Sequence, residues 1–241
     1  MGANEREGGV LRSEVHLTTR HVPETPVGRG KEIQRIADAF RPLTRGRPPE
    51  NLLVHGPAGV GKTTCIEHVF NGLEKETGVE PVHINCWQYN TRPSFLTQLL
   101  IELGYPVPRK GKPVDQLLSR LREWLDKNRG VVVALDEFDR LQHRTEIIYD
   151  MRNLSRQADN EFGLLMVSNK HPTTIDLDPR SESRLSCRTH EFRPYNMEQL
   201  VRILEQRVEQ AFRPGTVTDD AVTRIAEHVA EESGDCRDAL D

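Results

Sequence analysis

Eight residues, Gly56-Pro57-Ala58-Gly59-Val60-Gly61-Lys62-Thr63, follow the spacing G-x-x-x-x-G-K-[ST]. In that spacing the glycines let successive backbone N–H groups converge on phosphate oxygens, and a helix that follows turns its positive N-terminal end toward the same anion. Lys62 then neutralises the β- and γ-phosphates, and the Thr63 hydroxyl ligates magnesium. The chemistry this implies is the holding of a triphosphate tail. A second signal lies in VVVALDEFD, where an apolar strand delivers Asp136 and Glu137 to its carboxyl end, the place where open α/β sheets bind ligands. Asp136 suits Mg²⁺, held directly or through a water, and Glu137 suits polarisation of the water that attacks the γ-phosphate. A third candidate is Asn169, which closes the apolar run GLLMVSN and is suited to orient that water beside Glu137. Alone, it reads as an ordinary strand-ending turn residue.

These groups need elements to carry them. NLLVHG reads as a short buried strand entering the glycine loop, and TTCIEHVFNGLEKETG places Ile66, Val69, Phe70 and Leu73 on one helical face. Upstream, VGRGKEIQRIADAFRPL has helical spacing, broken by RGRPPE. PVHINCW reads as a strand, and SFLTQLLIELG and PVDQLLSRLREWLDKN as two helices joined by YPVPRKGKP. RGVVVALDEFDRL carries a continuous apolar run, which suits a parallel strand covered on both faces. A helix (IIYDMRNLSRQA), the strand GLLMVSN and the strand-like HEFRPY complete the alternation. Strand and helix alternating in this way predict an α/β fold, a parallel sheet flanked by helices. From Met197 onward the pattern is wholly helical, which sets a domain boundary near Pro194. The expected organisation is an N-terminal arm over 1–24, a nucleotide-binding α/β domain over 25–194 and a small all-helical lid over 195–241.

Bulk properties exclude several classes. With 241 residues, 36% hydrophobic and 29% charged residues, and no apolar run of membrane-spanning length, the chain reads as soluble and globular, with no membrane partner. The start, MGANEREGGVLRSEV, has no apolar h-region, so an intracellular protein is expected. Cys65, Cys86, Cys187 and Cys236 are scattered without C-x-x-C spacing, which argues against a zinc site and a disulfide framework. A net charge of −4 forces no class of partner.

The glycine loop, the D-E carboxylates, the strand-ending Asn and a late G-D-x-R together resemble the AAA+ P-loop ATPases. Within them the chain is similar to the archaeal initiator family related to the eukaryotic origin recognition complex and its helicase-loading partner. The stretches that carry this are HVPETPVGRGKEI, PPENLLVHGPAGVGKTT, INCWQYNTRPSFLTQLLIELG, VVVALDEFDRL, HEFRPYNMEQLVRILEQRVEQAF and ESGDCRDALD. The resemblance implies ATP/ADP and Mg²⁺ as cofactors, with Val27, Gly28, Arg29, the loop through Thr63 and Thr64, Tyr195, Arg207 and Arg237 around the nucleotide. Asn169 takes the sensor-1 position and Arg237 the sensor-2 position. Arg207 also has the plainer reading of a salt bridge on an amphipathic helix. Arg184 resembles the arginine that completes a neighbour's active site, with Arg180 and Arg188 as nearby rivals. An arginine arriving from another domain or subunit would make hydrolysis depend on closure.

The resemblance further implies a slow ATPase acting as a nucleotide switch in origin recognition and helicase loading, cytoplasmic and nucleoid-associated. Its partners would be duplex DNA, other AAA+ initiator subunits and a replicative helicase. The helices over about 91–127 resemble an initiator-specific insertion that contacts duplex DNA, with Arg109, Lys110 and Lys112 placed to meet phosphates. Family members continue into a winged-helix DNA-binding domain, whereas this sequence ends at Asp241, so weak DNA association is expected. Two other readings stand beside this one. They are a nucleotide-holding interaction module without useful turnover, and a remodeller resembling a clamp loader.

Overall fold

The computed structural model describes residues 9–18, 21, 23, 25–106, 111–127, 130–157, 162–175 and 187–240. The described residues divide into two compact units. One comprises Gly30–Gly56 with Lys62–Phe192; the other comprises Met1–Arg29, Pro57–Gly61 and Arg193–Asp241.

The first unit carries a five-stranded sheet built from β1 (Leu52–His55), β2 (Glu80–Asn85), β3 (Val131–Asp136), β4 (Phe162–Ser168) and β5 (Arg188–Glu191). Its order is β2-β3-β4-β1-β5, and every pairing is parallel. All seven residues of β4 and the first five of β3 are buried, so their unbroken apolar runs are covered on both faces. The helices of this unit are α1 (Gly30–Phe40), α2 (Lys62–Glu76), α3 (Arg92–Glu102), α4 (Val114–Lys127) and α5 (Arg144–Gln157). The strand–helix alternation expected from the sequence is therefore present. Bounds differ at the ends: β2 begins at Glu80 and stops before Cys86, and β5 stops before Phe192.

The two helices read as an insertion are part of the main core. α3 starts at a Thr91 cap whose hydroxyl and Ser94 exchange hydrogen bonds with each other's backbone, with proline in the first turn. Its Phe95, Leu96, Leu99 and Leu100 are fully buried together with Leu117, Leu121 and Leu125 of α4 and the strand residues Val133 and Leu135. Removing these helices would uncover the sheet. Arg92 fastens α3 to α5 by a two-pronged pair, with Nε and Nη2 each donating at 2.7 Å to the Asp150 carboxylate, which is 4% exposed.

The second unit is helical. α6 (Met197–Ala211) opens with a reciprocal Asn196–Gln199 cap, and α7 (Asp219–Glu232) opens with the Thr218 side chain accepting from the Ala221 N–H. Leu200, Ile203 and Leu204 of α6 pack against Val222, Ala226 and Val229 of α7. The described part of the N-terminal arm is docked here: Arg12 N–H donates to the Ala211 carbonyl and Arg213 N–H to the Val10 carbonyl, and Leu11 bridges to Phe212. The loop tip Pro57–Gly61 and the segment up to Arg29 group with the late helices. Among the described residues no helix is long and apolar enough to cross a membrane.

Replacing Arg92 by alanine leaves the Asp150 carboxylate buried without its counter-ion. A loss of about 3 kcal/mol is expected, read from the denaturant midpoint, whereas Arg120→Ala, at an exposed pair with Glu123, should leave the midpoint essentially unchanged.

Candidate functional site

Strand order decides which loops meet. Because β1 lies between β4 and β5, and β4 between β1 and β3, the carboxyl ends of β1, β4 and β3 stand side by side. The register sets His55 beside Ser168, and the Gly56 N–H donates to the Ser168 carbonyl at 3.3 Å. Asn169, exposed, leaves β4 directly at this point, between the phosphate loop and the end of β3. Helix α2 begins at Lys62, so its first turn carries Lys62, Thr63 and Thr64. Lys62 is buried, and its Nζ donates to the Gly56 carbonyl at 2.8 Å, which folds the side chain back over the loop it follows.

Thr63 and Asp136, separated by 73 residues in sequence, are in contact: Thr63 Oγ1 donates to Asp136 Oδ2 at 3.1 Å. The same oxygen accepts from His83 Nε2 of β2 at 3.2 Å, and Asp136 Oδ1 accepts the Glu137 N–H at 2.9 Å. Burial pushes the Asp136 carboxyl upward, and the hydrogen bond and charge of His83, with the Glu137 N–H and Thr63, outweigh it, so the group is held below the usual carboxylate range. His83 shows the mirror image. Burial lowers it, Asp136 and then Glu67 and Glu102 raise it, and the net direction is upward. Glu67 of α2 is itself raised, chiefly by burial.

Glu137 is, among the described residues, the single non-glycine residue with positive φ, at 53° with ψ at 42°. A side chain in this left-handed region costs on the order of 1 kcal/mol or more. The turn leads into the short helical stretch Phe138–Arg140. Asp139 ties that stretch to the end of β4, accepting from Ser168 Oγ at 3.0 Å and standing 3.6 Å from Lys170 Nζ. The residues flanking Asn169 are thereby joined to the turn that presents Glu137.

The helical unit gathers the remaining candidates around the loop tip. Gly59 and Gly61 have φ of 64° and 83°, and close approach adds to the requirement for glycine. A Cβ on Gly59 would fall 1.4 Å from Asp235 Oδ1, and one on Gly61 2.4 Å from the Tyr195 hydroxyl. Cys236 N–H donates to the Gly59 carbonyl at 3.2 Å, so the turn that bears Arg237 rests on the loop. Pro57 and Ala58 are exposed, and Val60 is buried as the loop's apolar anchor. Arg29, 2% exposed, stacks its guanidinium 3.9 Å from the Tyr195 ring centre and donates from Nη2 to the Arg193 carbonyl. Gly28 is held by Gln199 Nε2, which donates to its carbonyl, and Val27 packs on the α6–α7 core.

Arg207 departs from the salt-bridge alternative. It is 6% exposed and donates from Nη2 to the His21 carbonyl at 3.2 Å, while Nη1 is buried with no hydrogen-bond partner among the described residues. Burial lowers its affinity for the proton. Burial also raises the Cys236 thiol; Arg207 pulls it back, Asp235 adds to the rise, and Arg237 and Arg29 oppose it.

Each unit by itself carries residues that fit part of a magnesium nucleotide. In the helical unit the buried Arg207 guanidinium has an Nη1 with no hydrogen-bond partner among the described residues, which calls for an anion, and the glycines of the loop tip, with positive φ, present amides to one. Thr63 and Asp136 supply hard oxygen donors of the kind Mg²⁺ prefers, and an ion held by so few protein oxygens completes its shell with phosphates and water.

Arg184, Arg180, Arg109 and Lys110 lie outside the described residues. Arg188 is on β5 and pairs with Glu50, and Lys112 lines a cleft at α4 with Tyr105, Gln116 and Arg120. Sequence reasoning missed His83 and Asp139. The second Asp in DEFD was available as a signal for Asp139; nothing local marks His83, since its partner is on another strand.

The family model for the AAA ATPase domain matches residues 25–167, and that for the Cdc6 AAA+ ATPase-type lid domain matches residues 201–241. An ORC1-type DNA replication protein of Pyrococcus abyssi is 31% identical, covering 96% of this chain and 58% of that protein. ORC1-type DNA replication protein 1 of Archaeoglobus fulgidus is 34% identical, covering 96% of the chain and 59% of its own length. Among solved structures, the Aeropyrum pernix ORC1 protein in complex with DNA superposes with a TM-score of 0.85 at 30% identity, over 95% of this chain and 62% of that one. Cdc6p from Pyrobaculum aerophilum has the same fold, with a TM-score of 0.85 at 22% identity, over 97% of this chain and 64% of that one. The chain spans about three fifths of the length of the relatives it matches.

Glu137→Gly should relieve the left-handed backbone and stabilise the protein by about 1 kcal/mol. Thermal unfolding checks this; a lower midpoint would show that the Glu137 side chain itself holds the turn.

Proposed function

The chain belongs to the archaeal ORC/Cdc6 family of AAA+ ATPases, and from that premise we propose that it binds and slowly hydrolyses ATP as a nucleotide switch in replication-origin recognition and helicase loading. The observation that carries the catalytic part is the contact of Thr63 with Asp136 at 3.1 Å, next to a Glu137 held in a left-handed turn. It joins the first turn of α2 to the end of β3, as a phosphate-and-cation site requires.

In this reading Lys62 releases the Gly56 carbonyl and takes up the β- and γ-phosphates, with the amides of Gly56–Gly61 as the cradle. Thr63 and Asp136 hold Mg²⁺, which when bound screens charge on the phosphates. Glu137 accepts a proton from the water that attacks the γ-phosphorus, Asn169 orients that water, and the bond to the bridging oxygen breaks to leave ADP and phosphate. Val27, Gly28, Arg29, Thr64 and Tyr195 enclose the nucleotide. By the family resemblance Arg207 and Arg237 also act on the nucleotide, and the buried guanidinium of Arg207, with Nη1 unpartnered among the described residues, supports a role in binding an anion. Arg184 acts in trans on a neighbouring initiator subunit, and dependence on that arginine makes turnover slow.

Duplex DNA is the further partner, and a helicase the client. The relative from Aeropyrum pernix was solved with DNA, and Lys112 lies on the cleft at α4 beside Arg120. With the basic residues 109 and 110 it would meet backbone phosphates without reading bases. The cell compartment that follows is the cytoplasm, at the nucleoid.

Calorimetric titration tests the site. Lys62→Ala should abolish ATP binding, while Glu137→Gln should bind ATP as the wild type does and lose hydrolysis by about 100-fold or more. Unchanged turnover in Glu137→Gln removes the proton-accepting role and favours a nucleotide-holding module. Duplex affinity should fall steeply from low to moderate salt, and a flat salt response would exclude phosphate contact.

A further inference from the structure

His83 belongs to none of the motifs that mark the site. It lies in the middle of β2, the edge strand, paired in register with Ala134, two residues before the Asn85–Asp136 pair. Its ring reaches forward to the carboxyl end of β3, where Nε2 stands 3.2 Å from Asp136 Oδ2. That oxygen also receives the Thr63 hydroxyl at 3.1 Å, and Oδ1 receives the Glu137 N–H at 2.9 Å. A carboxylate offers about four acceptor positions. Both on Oδ2 are filled by donors from different elements, β2 and α2, so the carboxylate is clamped with its remaining open position on Oδ1. The Thr63 oxygen, having donated its own proton to Asp136, directs its lone pairs away from it. Glu67 of α2 interacts electrostatically with both His83 and Asp136.

We propose that His83 is a positioning residue for the divalent cation, acting through Asp136. By holding Oδ2 it fixes the plane of the carboxylate, and with it the orientation of the Thr63 hydroxyl that faces the cation. The neutral Nε2–H tautomer and the imidazolium both supply the donor, so the role does not turn on titration. Outer partners of this kind set ligand orientation around metals, and their loss costs about 10- to 100-fold in metal affinity. The inference rests on the nucleotide reading above.

The test is ATP affinity of the full chain measured by calorimetry with Mg²⁺ and with EDTA, for the wild type, His83→Phe, His83→Ala and His83→Gln. Phenylalanine keeps the ring volume without a donor, alanine removes both, and glutamine restores an N–H. The Mg²⁺-dependent gain in affinity should fall about tenfold in His83→Phe and His83→Ala and recover in His83→Gln, with the EDTA values unchanged in all. Mn²⁺ binding read by electron paramagnetic resonance with saturating ATP should show the same order. Equal losses with and without the cation would make His83 merely structural and overturn the proposal, as would a full Mg²⁺ gain in His83→Phe. A wild type that binds no ATP removes the nucleotide reading and this inference with it, whereas a normal wild type beside an unaffected His83→Phe removes only the inference.

Discussion

A carboxylate at the end of a buried strand must be met by donors, and the way Asp136 is met organises the whole edge of the sheet. Its side chain is 16% exposed, so ionisation there is costly without compensation. The compensation comes from three places at once: the first turn of α2, the strand β2 and the backbone of Glu137. Each of these donors is in reach because the strands run parallel in the order β2-β3-β4-β1-β5. An antiparallel neighbour would present its amino end instead. The polar constellation is therefore a consequence of sheet order, and the apolar runs of β3 and β4 enforce that order.

The turn after β3 uses backbone strain to present a side chain. Glu137 adopts a conformation that favours glycine, and it is retained because Asp136 accepts its N–H on one side and the Phe138–Arg140 turn follows on the other. Asp139 extends the brace to β4 through Ser168 and Lys170. The helical unit meets a comparable demand with cations. Arg207 is buried with one nitrogen left without a partner among the described residues, and the loop tip Pro57–Gly61 is packed closely enough by Asp235 and Tyr195 to forbid side chains at Gly59 and Gly61.

Much of this is legible in the sequence. The phosphate loop is local: its glycines, lysine and threonine lie within eight residues, so their spacing reports their geometry. β3 and β4 are legible because complete burial requires an unbroken apolar run. The roles assigned to Arg29, Arg207 and Arg237 rest on resemblance, and the burial of Arg207 cannot be read from an amphipathic helix in which it looks like a surface residue. Two features leave little trace in the sequence. The helices α3 and α4 look like an insertion in sequence yet supply a large part of the core, since an amphipathic pattern does not say which surface it covers. Likewise, the N-terminal segment carries little periodicity but is held by backbone hydrogen bonds to Ala211 and Arg213, and such bonds leave no trace in side-chain pattern.

The residue order alone determined what is encoded within a few neighbours: the strand and helix alternation, the anion cradle and the acidic pair at the end of β3. Tertiary structure alone decided which distant groups share an oxygen. Thr63, His83 and Asp136 are brought to one point from α2, β2 and β3, and no short window of sequence contains them all. The physical reason is that local propensity acts over one turn or one strand, whereas a buried carboxylate draws its donors from whatever the packed sheet sets beside it.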